Sequence, residues 1–80
     1  MAEATRTTDH EEIKKWAEQR GGRPAKVEGT EGLLRIDFRE PDENLEEIPW
    51  SKFFEIFDEN DLAFLYQAEG ESRFNKFVNK

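Results

Sequence analysis

The chain has 80 residues, 39% of them Asp, Glu, Lys or Arg, with no cysteine and a formal net charge of −7. That length suits one small domain, and without cysteine neither a disulfide nor a thiolate metal site can brace it, so packing alone must offset chain entropy. No window approaches the roughly 18 to 20 consecutive apolar residues of a membrane span, and Met1 to Thr8 lacks the basic start and apolar run of a signal peptide, so a soluble, cytoplasmic protein is expected.

A mean hydropathy of −0.97 leans toward disorder, but aromatics make up 12% of the chain and are patterned rather than scattered. In order along the chain, Met1 to Thr8 is small and polar without periodicity and reads as a disordered leader, with a single domain over residues 9–80. Thr8 and Asp9 are both N-cap candidates, since Glu11 and Glu12 follow each of them three residues on. Ile13, Trp16, Ala17 and Arg20 then recur at helical spacing, which predicts an amphipathic helix over about residues 9 to 20. Gly21 and Gly22 stand where a left-handed C-cap is needed, and Pro24 stops continuation.

From Ala25 the period becomes two. Ala25 and Val27 alternate with Lys26 and Glu28, and beyond Gly29-Thr30-Glu31-Gly32 the residues Leu34, Ile36 and Phe38 alternate with Arg35 and Asp37. This predicts an antiparallel hairpin with one wet face. Arg39 to Glu47 contains Pro41 and five carboxylates and reads as a loop, with Leu45 and Ile48 pinning it to the core.

Ile48 to Gln67 holds one of the two tryptophans, four of the seven phenylalanines and the single tyrosine, and most of the core is expected here. Trp50, Phe53, Phe54 and Phe57 sit at i, i+3, i+4, i+7, a helix whose N-cap is Ser51 by residue type, or whose first turn takes Pro49. Asn60 suits its C-cap. Leu62 to Tyr66 is apolar throughout, as in a strand central in its sheet or covered on both faces. After a turn at Ala68 to Glu71, Ser72 caps a last short helix carrying Phe74, Phe77 and Val78, or the same residues form a short edge strand. The aromatics either all pack or leave Trp16 or one of Phe74 and Phe77 partly exposed. The order is α-β-β-α-β-(α), an α+β domain with helices packed on one face of a small antiparallel or mixed sheet.

The strings TTDHEEIKKWAEQRGGRPAKV, LLRIDF, LEEIPWSKFFEIFDENDLAFLYQ and SRFNKFV resemble a group of small prokaryotic proteins and C-terminal domains of unknown function, often labelled 1,4-alpha-glucan branching enzyme. The likeness covers nearly all of the chain beyond the leader. It implies a compact module and carries over no catalytic residue, because branching enzymes resemble α-amylases, whose barrel needs at least about 200 residues.

Candidates for chemistry are few. A nucleophilic triad would have to join His10 to Ser51 or Ser72, both better explained as caps. Carboxylate pairs such as Glu46-Glu47 and Asp58-Glu59 match glycosidase chemistry in type, but a chain this short has little room for a sugar cleft. Asp58, Asn60 and Glu69 fall at positions one, three and twelve of a calcium loop, yet Leu62 and Ala63 stand where an oxygen ligand and a glycine are required. No catalytic residue, metal or cofactor is expected, and the chain is read as a non-enzyme.

Two charged sets remain. Arg20, Arg23 and Lys26 form a basic turn resembling a minor-groove hook, an alternative nucleic-acid site opposed by the overall charge. From Ile36 to Glu71, twelve carboxylates face only Arg39 and Lys52, a local balance of −10. Glu40, Asp42, Glu43, Glu46, Glu47, Glu55, Asp58, Glu59 and Asp61 are therefore the candidate partner-binding residues, forming a negative face for a protein with a basic surface. The competing reading is that they only keep a small protein soluble. Accessory participation in glucan metabolism follows from the inherited label alone.

Overall fold

The structure, a computed structural model, describes residues 4–30, 32–39 and 44–80. Its elements run β1 Thr5–Thr7, α1 His10–Gln19, β2 Arg23–Val27, β3 Leu34–Asp37, β4 Leu45–Glu47, α2 Trp50–Glu59, β5 Leu62–Tyr66 and β6 Asn75–Asn79. Helix α1 starts where sequence chemistry puts it. Asp9 is extended, and its carboxylate accepts from the N–H groups of Glu11 and Glu12, satisfying two donors that the first turn leaves without partners. Its apolar stripe of Ile13, Trp16 and Ala17 is buried.

The helix closes on a Schellman arrangement: the Gly22 N–H donates to the Ala17 carbonyl at 2.8 Å and that of Gly21 to Glu18 at 3.2 Å. Gly21 takes the left-handed φ of 72° that this closure requires. Gly22 is needed for a different reason, since a Cβ there would lie 2.6 Å from Ile36 Cγ2 and 2.8 Å from Phe38 Cε1.

Strands β2 and β3 form the expected antiparallel hairpin, with Pro24 opposite Ile36 and Lys26 opposite Leu34. Leu34 and Ile36 are buried. The segment read as a loop up to Glu47 contributes a third strand instead: β4 pairs with the other edge of β2, placing Leu45 opposite Val27 and Glu46 opposite Lys26. Three residues with one apolar side chain carry almost no periodic signal, and the cross-strand charge pair helps set the register. Ile48, just beyond, is buried as expected.

Helix α2 begins one residue after Pro49, which holds the cap position without a side-chain hydrogen bond. Ser51 lies inside the first turn, so it is not the cap. At the other end Asn60 keeps a negative φ of −98° and Asp61 takes the left-handed geometry at 50°. The Asn60 side-chain amide donates to the Ile56 carbonyl at 2.9 Å.

Strand β5 is central, as its unbroken apolar run suggested, with β1 and β6 antiparallel on its two edges. One of these edge strands departs from the sequence expectation and the other settles an open alternative. Thr5–Thr7, placed in the disordered leader, pairs with Phe64 to Tyr66; β-branched threonines suit such an edge. Asn75–Asn79 is the strand alternative to a last helix. Phe74, Phe77 and Val78 have helical spacing, but only Phe77 meets the core rings Phe53, Phe57 and Phe64, while Phe74 is 48% exposed.

The domain is therefore α+β with two small antiparallel sheets, in the orders β3-β2-β4 and β1-β5-β6, where a single sheet was expected. Each central strand has both edges occupied, so the two sheets stay separate and meet through side chains. The shared core has Phe53, Phe57, Phe64, Ile13 and Leu34 as its largest fully enclosed side chains. Trp50 and Phe54 pack against it only partly buried, so the centre of α2's apolar face is Phe53 and Phe57.

Phe53→Ala should cost about 3 to 5 kcal/mol in urea-induced unfolding, a large part of the roughly 5 to 15 kcal/mol that small domains possess. Trp50→Ala should cost clearly less. Equal losses would place the centre of the core elsewhere.

Candidate functional site

His10 does not meet a serine. Its ring stacks on Phe54 with centroids 4.2 Å apart and 7° between planes, and its Nε2 lies 2.9 Å from Asp58 Oδ1. The histidine thus joins the first turn of α1 to the last turns of α2. Ser72 is taken up in its own turn: its Oγ accepts from the Phe74 N–H and its carbonyl from Arg20 Nε. Among the described residues, no group of three His, Asp or Glu side chains converges as metal ligands would.

The basic turn is dispersed into structural tasks. Arg20 reaches back over the face of Trp16, its guanidinium carbon 4.7 Å from the ring centroid. It donates to the carbonyls of Ser72 at 2.8 Å, Gly70 at 2.9 Å, Trp16 at 3.2 Å, Ala68 at 3.3 Å and Gln67 at 3.4 Å. Nε and Nη1 donate to one carbonyl each, and the two hydrogens of Nη2 are shared among the other three. Trp16 Nε1 donates to the same Gln67 carbonyl at 2.7 Å. Arg23 pairs with Glu47 at 3.4 Å, and Lys26 donates to the Thr30 carbonyl at 3.2 Å. Each of the three cations thus has partners within the protein, and Arg20 is committed to holding the turn of residues 67–72.

The carboxylates are split. Glu40, Asp42 and Glu43 lie outside the described residues. Glu46 and Glu47 are exposed on β4, just before α2 begins, whereas Glu55, Asp58, Glu59 and Asp61 are exposed along its second half and at its end. The ten-residue helix between these sets is about 15 Å long. Glu47 has Arg23 beside it, Glu55 has Lys52 at 3.9 Å and Asp58 has His10; such exposed pairs neutralise little. The last turn of α2 contains no basic residue, so Asp58, Glu59 and Asp61 surround the negative end of the helix dipole. Local stability alone would place cations here.

A second polar feature was not anticipated from the sequence. Tyr66, buried at the end of β5, donates its hydroxyl to Glu12 Oε1, while Thr7 Oγ1 donates to Glu12 Oε2 at 3.1 Å. Glu12 thereby ties α1 to both β1 and β5. Burial, then the hydrogen bond and charge of Glu12, push the Tyr66 hydroxyl up to about 12 from its ordinary 10.0. Several open grooves mark the surface, two of them at strand edges. One of about 430 Å³ runs past Arg23, Glu47 and Trp50. Another of about 690 Å³ lies between β3 and β6, beside Leu33, Arg35, Leu62 and Phe77.

No family model matches the chain, and no curated protein or solved structure is significantly similar to it.

Arg20→Ala should cost about 2 kcal/mol, as expected for hydrogen bonds to a charged group, and speed amide exchange in residues 67–72 more than elsewhere; uniform acceleration would deny Arg20 that local role. Absorbance titration of the single tyrosine should show ionisation near 12, lowered only in part by Glu12→Gln because burial, the larger cause, remains. Because the folded-state value is the higher, Tyr66 contributes stability that is complete below pH 10 and lost as pH rises to about 12. A wild-type midpoint near 10 would show that Tyr66 is neither buried nor bonded to Glu12 in solution as it is here.

Proposed function

We propose that the chain is a small interaction module that works by binding rather than by catalysis, docking a protein with a basic surface on the solvent face of α2 and on Asp61. The observation that supports this reading is the placement of acid against the helix dipole. Glu55, Asp58 and Glu59 follow one another at i, i+3 and i+4 on the exposed side, and Asp61 extends the row beyond the C-terminus. A solubilising role would be served equally well by carboxylates anywhere on the surface, and better at helix N-termini. Carboxylates at the C-terminal end each cost a few tenths to about 1 kcal/mol at low salt. Departures from local consistency of this kind concentrate at functional sites.

The resulting negative potential steers a cationic partner and sets its orientation more than it adds affinity. The reading is narrower than an acidic half acting as one surface, because Glu46 and Glu47 stand at the other end of α2. A cytoplasmic setting belongs to the same proposal and rests on the lack of cysteine.

The test is the double variant Glu59→Lys with Asp61→Asn, chosen to leave His10 and Asp58 in place. Its thermal midpoint should rise, since two unfavourable charges leave the helix end, while capture of a protein partner from nuclease-treated lysate should fall at least about tenfold, or roughly 1.4 kcal/mol. Gain in stability with undiminished capture would leave the acidic row as a surface without a binding role.

A further inference from the structure

The acidic helix is not the only feature built for contact. Strand β6 is the longest of the four edge strands, five residues against three, four and three in β1, β3 and β4. It contains no proline, and no described strand pairs with its outer side. Edge strands of soluble proteins are usually kept short or blocked, since a free row of peptide groups recruits further strands.

The hydrogen-bond parity of that row can be worked out. The Gln67 N–H donates to the Phe74 carbonyl at 3.4 Å and the Lys80 N–H to the Asp61 carbonyl at 2.8 Å. In an antiparallel ladder the inward-bonding residues alternate, so Lys76 and Val78 also turn their peptide groups toward β5. Asn75, Phe77 and Asn79 then present theirs to the open side.

Side chains add chemistry to this template. Phe77 faces the core with Asn75 and Asn79 in its row, and beside that row lies the groove of about 690 Å³ lined by Leu33, Leu34, Leu62 and Arg35. Leu33 there is 47% exposed. Lys76, which also lines the groove, Val78 and, next in step, Lys80 form the alternate row. Lys76 and Lys80 have no ion pair with a described residue. From Ser72 to Lys80 the sequence has three basic residues and no acidic one, in a chain of net charge −7.

We propose that the open side of β6 accepts an extended acidic peptide segment of a partner protein by strand addition. Alternate peptide side chains are apolar and enter the groove between β3 and β6, and the intervening carboxylates meet Lys76 and Lys80. Main-chain bonds to Asn75, Phe77 and Asn79 supply affinity, and the two side-chain rows supply specificity. The charge sign selects this occupant over a second copy of the chain, whose β6 would bring its own lysines to the same edge. The site adjoins the acidic end of α2, since the Lys80 N–H donates to the Asp61 carbonyl and Asn60 lines the groove, but it uses other residues of opposite charge, so either can fail without the other.

The test uses an end-blocked peptide whose core reads Asp-Val-Thr-Val-Asp, a palindrome that fits either strand direction. Titrated into the full chain, it should protect the amides of Asn75, Phe77 and Asn79 from exchange while those of Val78 and Lys80, already bonded to β5, change little. Lys76→Glu should weaken binding about tenfold or more. Asn79→Pro should do the same by deleting one outward donor without touching a bond to β5. Should Asn79→Pro misfold, Lys76→Glu, an exposed substitution, still decides the matter. The proposal is overturned if the three amides stay unprotected at saturating peptide, or if a peptide with lysines replacing the aspartates binds as well. It is also overturned if the protein alone protects those amides with rising concentration, which would make a second copy the occupant.

Discussion

Trp16 is the side chain through which the two sheets become one domain. Its ring meets Phe38 at the end of the β2–β3 hairpin and Phe64 and Tyr66 on β5, at centroid distances of 6.0, 5.5 and 5.6 Å. Among the described residues no strand of one sheet pairs with a strand of the other, so this contact and the phenylalanines of α2 help to hold the sheets together. The indole N–H and the guanidinium of Arg20 both end on the Gln67 carbonyl, which fixes where β5 stops and how the turn toward β6 begins. An aromatic body with a polar tip serves here because the ring fills the core while its N–H reaches a carbonyl that would otherwise be left without a partner.

Charge in this protein is ordered by what the backbone leaves exposed. Arg20, cationic in the sequence, is absorbed into the fold by carbonyls, and Arg23 and Lys26 find neighbours on β4 and in the β2–β3 turn. At the end of α2, where the dipole opposes them, Asp58 has His10 beside it, but Glu59 and Asp61 have no ion pair with a described residue. Lys76 and Lys80 are likewise left uncompensated, along the one long open strand edge. The two proposed contact surfaces therefore share a physical origin: each is a terminus or edge whose unpaired peptide groups add a field or a hydrogen-bond row to side chains of matching character.

Much of the architecture could be read from the residues because burial leaves a local periodic trace. Asp9, the stripe Ile13-Trp16-Ala17 and Gly21-Gly22 mark both ends and the inner face of α1. The alternation around Leu34 and Ile36 marks the hairpin, and the unbroken run Leu62 to Tyr66 marks a central strand. Length, composition and the absence of cysteine confined the protein to one packed domain without disulfide or thiolate-metal bracing.

Tertiary structure alone decided the rest. Thr5–Thr7 and Leu45–Glu47 are strands, and Asn75–Asn79 takes the strand rather than the helix of its two readings, because a neighbour offers each a hydrogen-bonding edge, and an edge strand owes its conformation to that partner more than to its own burial. Such pairing joins residues far apart in sequence, as in Thr5 with Tyr66, and leaves no period to detect. The same holds for the charges: Arg20 binds carbonyls 47 to 52 residues away, and the carboxylates that composition grouped as one acidic half are parted by the length of α2. Local patterns record which side chains are buried, whereas pairing and the sharing of charge depend on which distant segments the fold brings together.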